Sequence, residues 1–165
     1  MNESPQAHLE SRLQKLASEK ANLELIVLMI TRLSQASGLE NIIDRALESI
    51  MHVIGATNVV IYYLQDNAYQ YADVFGKKMV LAKIDDHLVE KTLRTSKALV
   101  HESDFMDTQM TYPTELNRAF TWVYPLLIES EALGVVKVVN TAYSMQGIKS
   151  ALPMFFKYLA QSVKN

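Results

Sequence analysis

Near the start of the chain, Leu9, Leu13, Leu16, Leu23, Val27 and Ile30 fall at alternating intervals of four and three, with Lys20 in the one gap. That spacing is a heptad core, with Leu13, Lys20 and Val27 at a-type and Leu9, Leu16, Leu23 and Ile30 at d-type positions. A seam of this kind is narrow and is covered by one partner helix rather than by a whole domain. Ser4-Pro5 suits its beginning, because Pro at the first helical position gives up no hydrogen bond. Glu10, Arg12, Lys15 and Glu19 flank the seam through its first half. From Leu23 the stripe widens to Leu25, Ile26, Leu28, Met29 and Leu33. The first half is therefore expected to pair with a second copy of the chain, and the second half to rest on the domain body as well. Lys20 at a core position limits the size of the oligomer at a cost in stability. A parallel pair would also set Glu19 opposite Glu24, a like-charge contact.

Ser34-Gln35-Ala36-Ser37-Gly38 ends this helix, and Ser37 with Glu40 reads as a capping box for the next. Leu39, Ile42, Ile43, Ala46, Leu47, Ile50, Met51 and Ile54 mark one helical face, which Gly55 stops. Residues 59–64 are β-branched and aromatic, a strand buried on both faces. Asp66-Asn67 supplies a turn, and residues 69–75 return as a second strand ending at Gly76. Asp85 or Asp86 caps a short helix through Leu88, Val89, Thr92 and Leu93, and residues 98–101 form a short strand. The polar stretch 102–118 reads as a loop with one helical turn. Residues 120–128 and 133–140 are two strands around the turn 129–132, and residues 148–163 form a last amphipathic helix. This order predicts an α+β fold, a central antiparallel sheet with helices segregated on its faces. Residues 1–37 are assigned to the dimerisation helix and 38–165 to the domain.

Composition narrows the function classes. The 165 residues are 49% hydrophobic and 21% charged, with net charge −2. A globular domain is indicated, without the positive field that would hold a nucleic-acid backbone. There are no cysteines, which removes disulfides, zinc–thiolate sites, thiol catalysis and thioether-linked cofactors. The apolar run 25–30 is far shorter than the ~18 residues that suggest a membrane span. The first residues hold no apolar core of a signal peptide. The expectation is a cytoplasmic chain with neither membrane nor nucleic acid as partner.

Ala56 through Leu64 follows an amphipathic helix; Ser96-Lys97-Ala98-Leu99-Val100 comes next; then Val123-Tyr124-Pro125-Leu126 precedes Leu133-Gly134-Val135-Val136-Lys137-Val138-Val139-Asn140. In these blocks, in their order and spacing, the chain resembles the GAF family of sensory domains over roughly residues 39–163. The last block looks like that family's Pro-Leu strand, turn and Gly-Val strand. The resemblance implies five or six antiparallel strands, terminal helices on one face, and short helices and loops over a ligand pocket on the other. It also implies signal transduction, as the input domain of a sensor kinase, a cyclic-nucleotide enzyme or a transcriptional activator. The chain departs from bilin-carrying and methionine-sulfoxide-reducing members, which rely on cysteine. The signature that accompanies cyclic-nucleotide binding is not recognisable after Asn140.

Candidate chemistry is sparse. His8 and His52 are expected to face water, and His87 and His101 to be surface or strand-end residues. His101-Glu102-Ser103-Asp104 lacks the spacing of a metal site. No Gly-x-Ser-x-Gly, phosphate loop or His-Glu-x-x-His occurs, so neither catalytic nor metal-binding residues are assigned, and no cofactor is indicated. Strand alternation puts Phe120, Trp122 and Tyr124 on one face. Lys137 interrupts an apolar strand; it either pairs with an anionic ligand group or is a solubilising charge at a sheet edge. Phe75, Phe105, Met106, Met110 and Tyr112 are candidates for a lid, because methionine adapts to varied ligands. The expected ligand contacts are Phe75, Met106, Met110, Tyr112, Trp122, Tyr124 and Lys137. The reading is a non-catalytic sensory domain, homodimeric through its first and last helices, that takes a small effector. A haem or other redox or gas sensor, or a pure dimerisation module with an empty pocket, are the alternatives.

Overall fold

The computed structural model describes residues 4–104, 118–141 and 151–164. It opens with α1 (Pro5–Ser34), a helix of 30 residues and so about 45 Å long. Ser4 caps it, its hydroxyl accepting the Ala7 N–H at 3.1 Å, and Pro5 takes the first helical position. Only Ile26, Met29 and Leu33 of α1 are buried. They pack the end of the helix against α2 (Leu39–Ile54) and the last helix, α4 (Leu152–Lys164).

The expected capping box at Ser37 and Glu40 does not form. The cap of α2 is Gly38, at φ 88°, and no side chain bonds there. The Ser37 carbonyl accepts the Asn41 amide at 2.7 Å, and the Glu40 carboxylate is held by Lys78 at 3.1 Å. Lys78 bonds Asp44 as well, so the cation competes successfully for the carboxylate that the box would use. At the other end Gly55 stops the helix at φ 68°, donating its N–H to Met51.

Six strands follow: β1 (Asn58–Gln65), β2 (Ala68–Asp73), β3 (Lys78–Leu81), then β4 (Leu99–Asp104), β5 (Arg118–Ile128) and β6 (Glu131–Thr141). The short helix α3 (His87–Thr95) lies between β3 and β4. The sheet order is β3-β2-β1-β6-β5-β4, and every neighbouring pair is antiparallel. Two hairpins close through pairs of residues with positive φ, Asp66-Asn67 and Glu129-Ser130. Such turns match the twist of the strands they join. The second is two residues long rather than four, because β6 already begins at Glu131.

Two differences from the sequence expectation have local causes. β3 was not anticipated: it is four residues long and largely exposed, so burial leaves no alternation to read. β4 runs to Asp104, three residues into the stretch assigned to a loop, because backbone pairing with residues 118–121 does not require apolar side chains. Residues 148–150 of the expected last helix lie outside the described residues, and α4 begins at Leu152.

The two faces of the sheet carry different layers. Val59, Ile61, Tyr63, Trp122, Tyr124, Leu126, Val136 and Val138 meet α1, α2 and α4 in the main core. Each large apolar side chain fully buried there contributes about 1.5–3 kcal/mol. Val60, Tyr62, Val123 and Val135 face the other way and meet Val89 of α3. β1 and β6 approach so closely that a Cβ on Gly134 would stand 2.2 Å from the Tyr62 carbonyl oxygen.

Candidate functional site

The face of the sheet turned from the three long helices carries a cation in an apolar surround. Lys137 lies in β6, opposite Val60 of β1 on one side and Val123 of β5 on the other. β6 is an inner strand, so Lys137 is not a charge at a sheet edge. Its ammonium donates to Asp86 Oδ2, and both side chains are mostly buried.

Asp86 has a second task. Its Oδ1 accepts the backbone N–H of Leu88 at 3.0 Å and of Val89 at 3.3 Å, capping α3. One carboxylate therefore starts the helix and ties it to the middle of the sheet. Burial pushes the Asp86 carboxyl up, but the hydrogen bond and charge of Lys137, with the two helix N–H groups, hold it below the usual range. Tyr62, beneath α3, is pushed up to about 12 by burial and then by the negative charge of Asp86. Its ring meets Tyr71 edge-on at 5.5 Å. The Thr92 hydroxyl, on the inward side of α3, is buried and has no hydrogen-bond partner among the described residues.

Further along this face, His101 of β4 stands opposite Thr121 of β5, two residues from the Val123–Lys137 pair. The Thr121 hydroxyl accepts the Asn140 N–H at 3.3 Å, where a bulge shifts the register of β5 against β6. Asn140 has φ 51°, a conformation that Asn tolerates better than most residues. The hairpin of β2 and β3 is organised by Asp73. It accepts the N–H groups of Phe75 and Lys77 on one oxygen and the Tyr71 hydroxyl, at 2.8 Å, on the other. Burial first, and then this bond, push Tyr71 up to about 12.

Of the residues expected to contact a ligand, the four described ones do not share one face: Trp122 and Tyr124 lie together, away from Lys137 and Phe75. Lys137 is on the α3 face. Trp122 and Tyr124 are on the opposite face, under α4, because they alternate with Val123, the partner of Lys137. Phe75 is 75% exposed on the turn after β2. Met106, Met110 and Tyr112, with Phe105, lie outside the described residues. Of the seam residues, Leu9, Leu13, Leu16, Leu23 and Val27 are 46–58% exposed and Ile30 is half-buried. Lys20 lies 4.0 Å from Glu24 of its own helix. Sequence reasoning left the cap between Asp85 and Asp86, of which Asp86 is the one that caps α3; it did not find the bond to Lys137, and it missed Thr92 and Thr121 as site residues. The pairing of Asp86 with Lys137, 51 residues apart, leaves no local signal.

The arrangement presents a largely buried cation that holds one carboxylate, and an ammonium of this kind pairs with anionic groups. Among the described residues, no three His, Asp or Glu side chains gather as metal ligands. No described helix is long and apolar enough to cross a membrane.

No family model matches the sequence, and no curated protein matches it. Solved structures do. The GAF domain of a phosphoenolpyruvate-protein phosphotransferase from Acinetobacter is 12% identical, with a TM-score of 0.65 over 87% of this chain and 93% of that one. The GAF domain of the potassium sensor histidine kinase KdpD from Escherichia coli is 15% identical, with a TM-score of 0.55 over 85% and 91%. Free methionine-R-sulfoxide reductase from Neisseria meningitidis, solved with its substrate, is 10% identical, with a TM-score of 0.61 over 88% and 90%. The chain has the GAF-domain fold.

Proposed function

We propose that this chain is a non-catalytic sensory domain of a signal-transduction protein, paired with a second copy through α1 and α4 and responsive to a small anionic effector. The observation that carries the reading is the α1 seam. Leu9, Leu13, Leu16, Leu23 and Val27 stay exposed on a helix whose Ile26, Met29 and Leu33 are locked into the core. Each helical residue turns the chain by about 100°, so Ile26 and Val27 point in different directions. One face of α1 can bind its own domain while the next face binds a partner.

The effector end of the reading rests on Lys137. An anion that pairs with this ammonium competes with Asp86, the residue that caps α3. Exchange would loosen the start of α3 from the sheet and shift the population between two packings. The sheet carries α1, α2 and α4 on its other face, so a change there reaches the paired helices. A role without chemistry of its own fits the lack of any cysteine, which rules out thiol catalysis of methionine sulfoxide reduction. The similarity to signalling GAF domains, the histidine kinase among them, supports the sensory part.

The same lack of cysteine makes the pairing easy to test. In a parallel pair, Leu16→Cys would place a thiol at the seam and Ser18→Cys would place one on the outer side. Mild oxidation is expected to give a covalent dimer with Leu16→Cys and little with Ser18→Cys. Equal cross-linking of the two, or none at position 16, would overturn the parallel pair.

A further inference from the structure

A cavity of about 450 Å³ opens where the sheet meets the beginning of α4. β4 starts at Leu99, opposite Val123, so among the described residues β5 beyond Val123 has no neighbouring strand on its outer side. Pro125 sits in this stretch, at an edge position suited to a residue without an N–H. The cavity lies along the gap. Pro125 and Leu127 of β5 line it together with Pro153 and Phe156 of α4, and the connection from α3 to β4 adds Ser96 and Ala98.

Tyr124 also lines this cavity and is only 7% exposed. Its ring stacks on Phe156 with centroids 4.8 Å apart, and its buried hydroxyl has no hydrogen-bond partner among the described residues. A buried donor left unpaired costs free energy that a bound acceptor would recover. Burial raises its pKa, so the group keeps its proton at neutral pH. The exposed charges along the cavity are Lys157 and Glu129, and neither enters an ion pair among the described residues.

We propose that this cavity is a second binding site, on the helix side of the sheet from Lys137, for a small aromatic carboxylate. The ring packs against the two prolines and Phe156. The carboxylate accepts the Tyr124 O–H and pairs with the Lys157 ammonium. The volume falls in the range of ligand sites, about 300–1,000 Å³. The site is independent of the effector reading for Lys137.

Trp122 is the one tryptophan of the chain, and its ring lies edge-on to Tyr124 at 6.2 Å, so its emission reports on the cavity. The test is a fluorescence titration of the full chain with benzoate and with its uncharged counterpart benzamide. Benzoate is expected to give a saturable change, with benzamide about tenfold weaker for lack of the charged pair. Lys157→Gln should weaken benzoate by a similar factor and leave benzamide unchanged. Tyr124→Phe removes only the unpartnered hydroxyl, so the fold should persist while benzoate binding weakens. No saturable change with benzoate, equal binding of benzamide, or indifference to both Lys157→Gln and Tyr124→Phe would overturn the proposal.

Discussion

Asp86 divides its two oxygens between a helix cap and a buried ammonium, and this sharing makes its ionisation a stability device. Its folded pKa is depressed, so its contribution is fully present above the ordinary carboxylate range and is lost as the pH falls through the lowered value. Asp86→Asn separates the two roles, because Asn can still cap the helix but leaves Lys137 without a counter-charge. In urea unfolding the variant is expected to be less stable than the unmodified protein by about 1–2 kcal/mol at neutral pH, discounted for partial exposure. The gap should close in acid, as the pH falls through the lowered pKa and the native carboxylate is also protonated. A gap that is independent of pH would show that the pair contributes nothing through charge. A cap at Asp85 or Asp86 was legible because caps are local; the partner of Asp86 was not, because residue pairing across the fold follows from topology.

At the level of elements, what could be read in advance followed burial. α2, β1 and α3 bury one or both faces in a regular period and stand where the pattern put them. β3 and the far end of β4 are held by backbone pairing at the two edges of the sheet, where side chains carry little information. The alternation in β5 was read correctly, but alternation alone does not say which face meets the helices. Trp122 and Tyr124 were expected on one ligand face together with Lys137; they lie on the α4 side of the sheet and Lys137 on the other. The Gly-Val block of β6 has a firmer basis: Gly134 leaves room for the Tyr62 carbonyl across the β1–β6 ladder. That oxygen belongs to a buried strand and has no room to retreat. Gly134→Ala should cost about 2–3 kcal/mol, read as a lower urea midpoint. A midpoint unchanged from the unmodified chain would mean that the two strands yield more easily than their packing implies.

For the whole molecule, α1 joins an exposed seam to a buried anchor in one continuous helix. Ile26, Met29 and Leu33 fix its end to α2 and α4, and the sheet beneath those helices carries Lys137 and α3 on its far face. A rigid helix of this kind transmits a shift in the domain to whatever covers its seam, which is the physical content of the sensory reading. Leu16 and Leu23 contribute little to the domain's own core, since both are about half exposed. Charges placed there should therefore break the pair without unfolding the chain. Sedimentation velocity of the unmodified protein beside the variant carrying Leu16→Lys and Leu23→Lys tests this most directly. The account predicts a dimer for the first and a monomer with unchanged circular dichroism for the second; a monomeric unmodified protein, or a double variant that sediments as the same dimer, would contradict it.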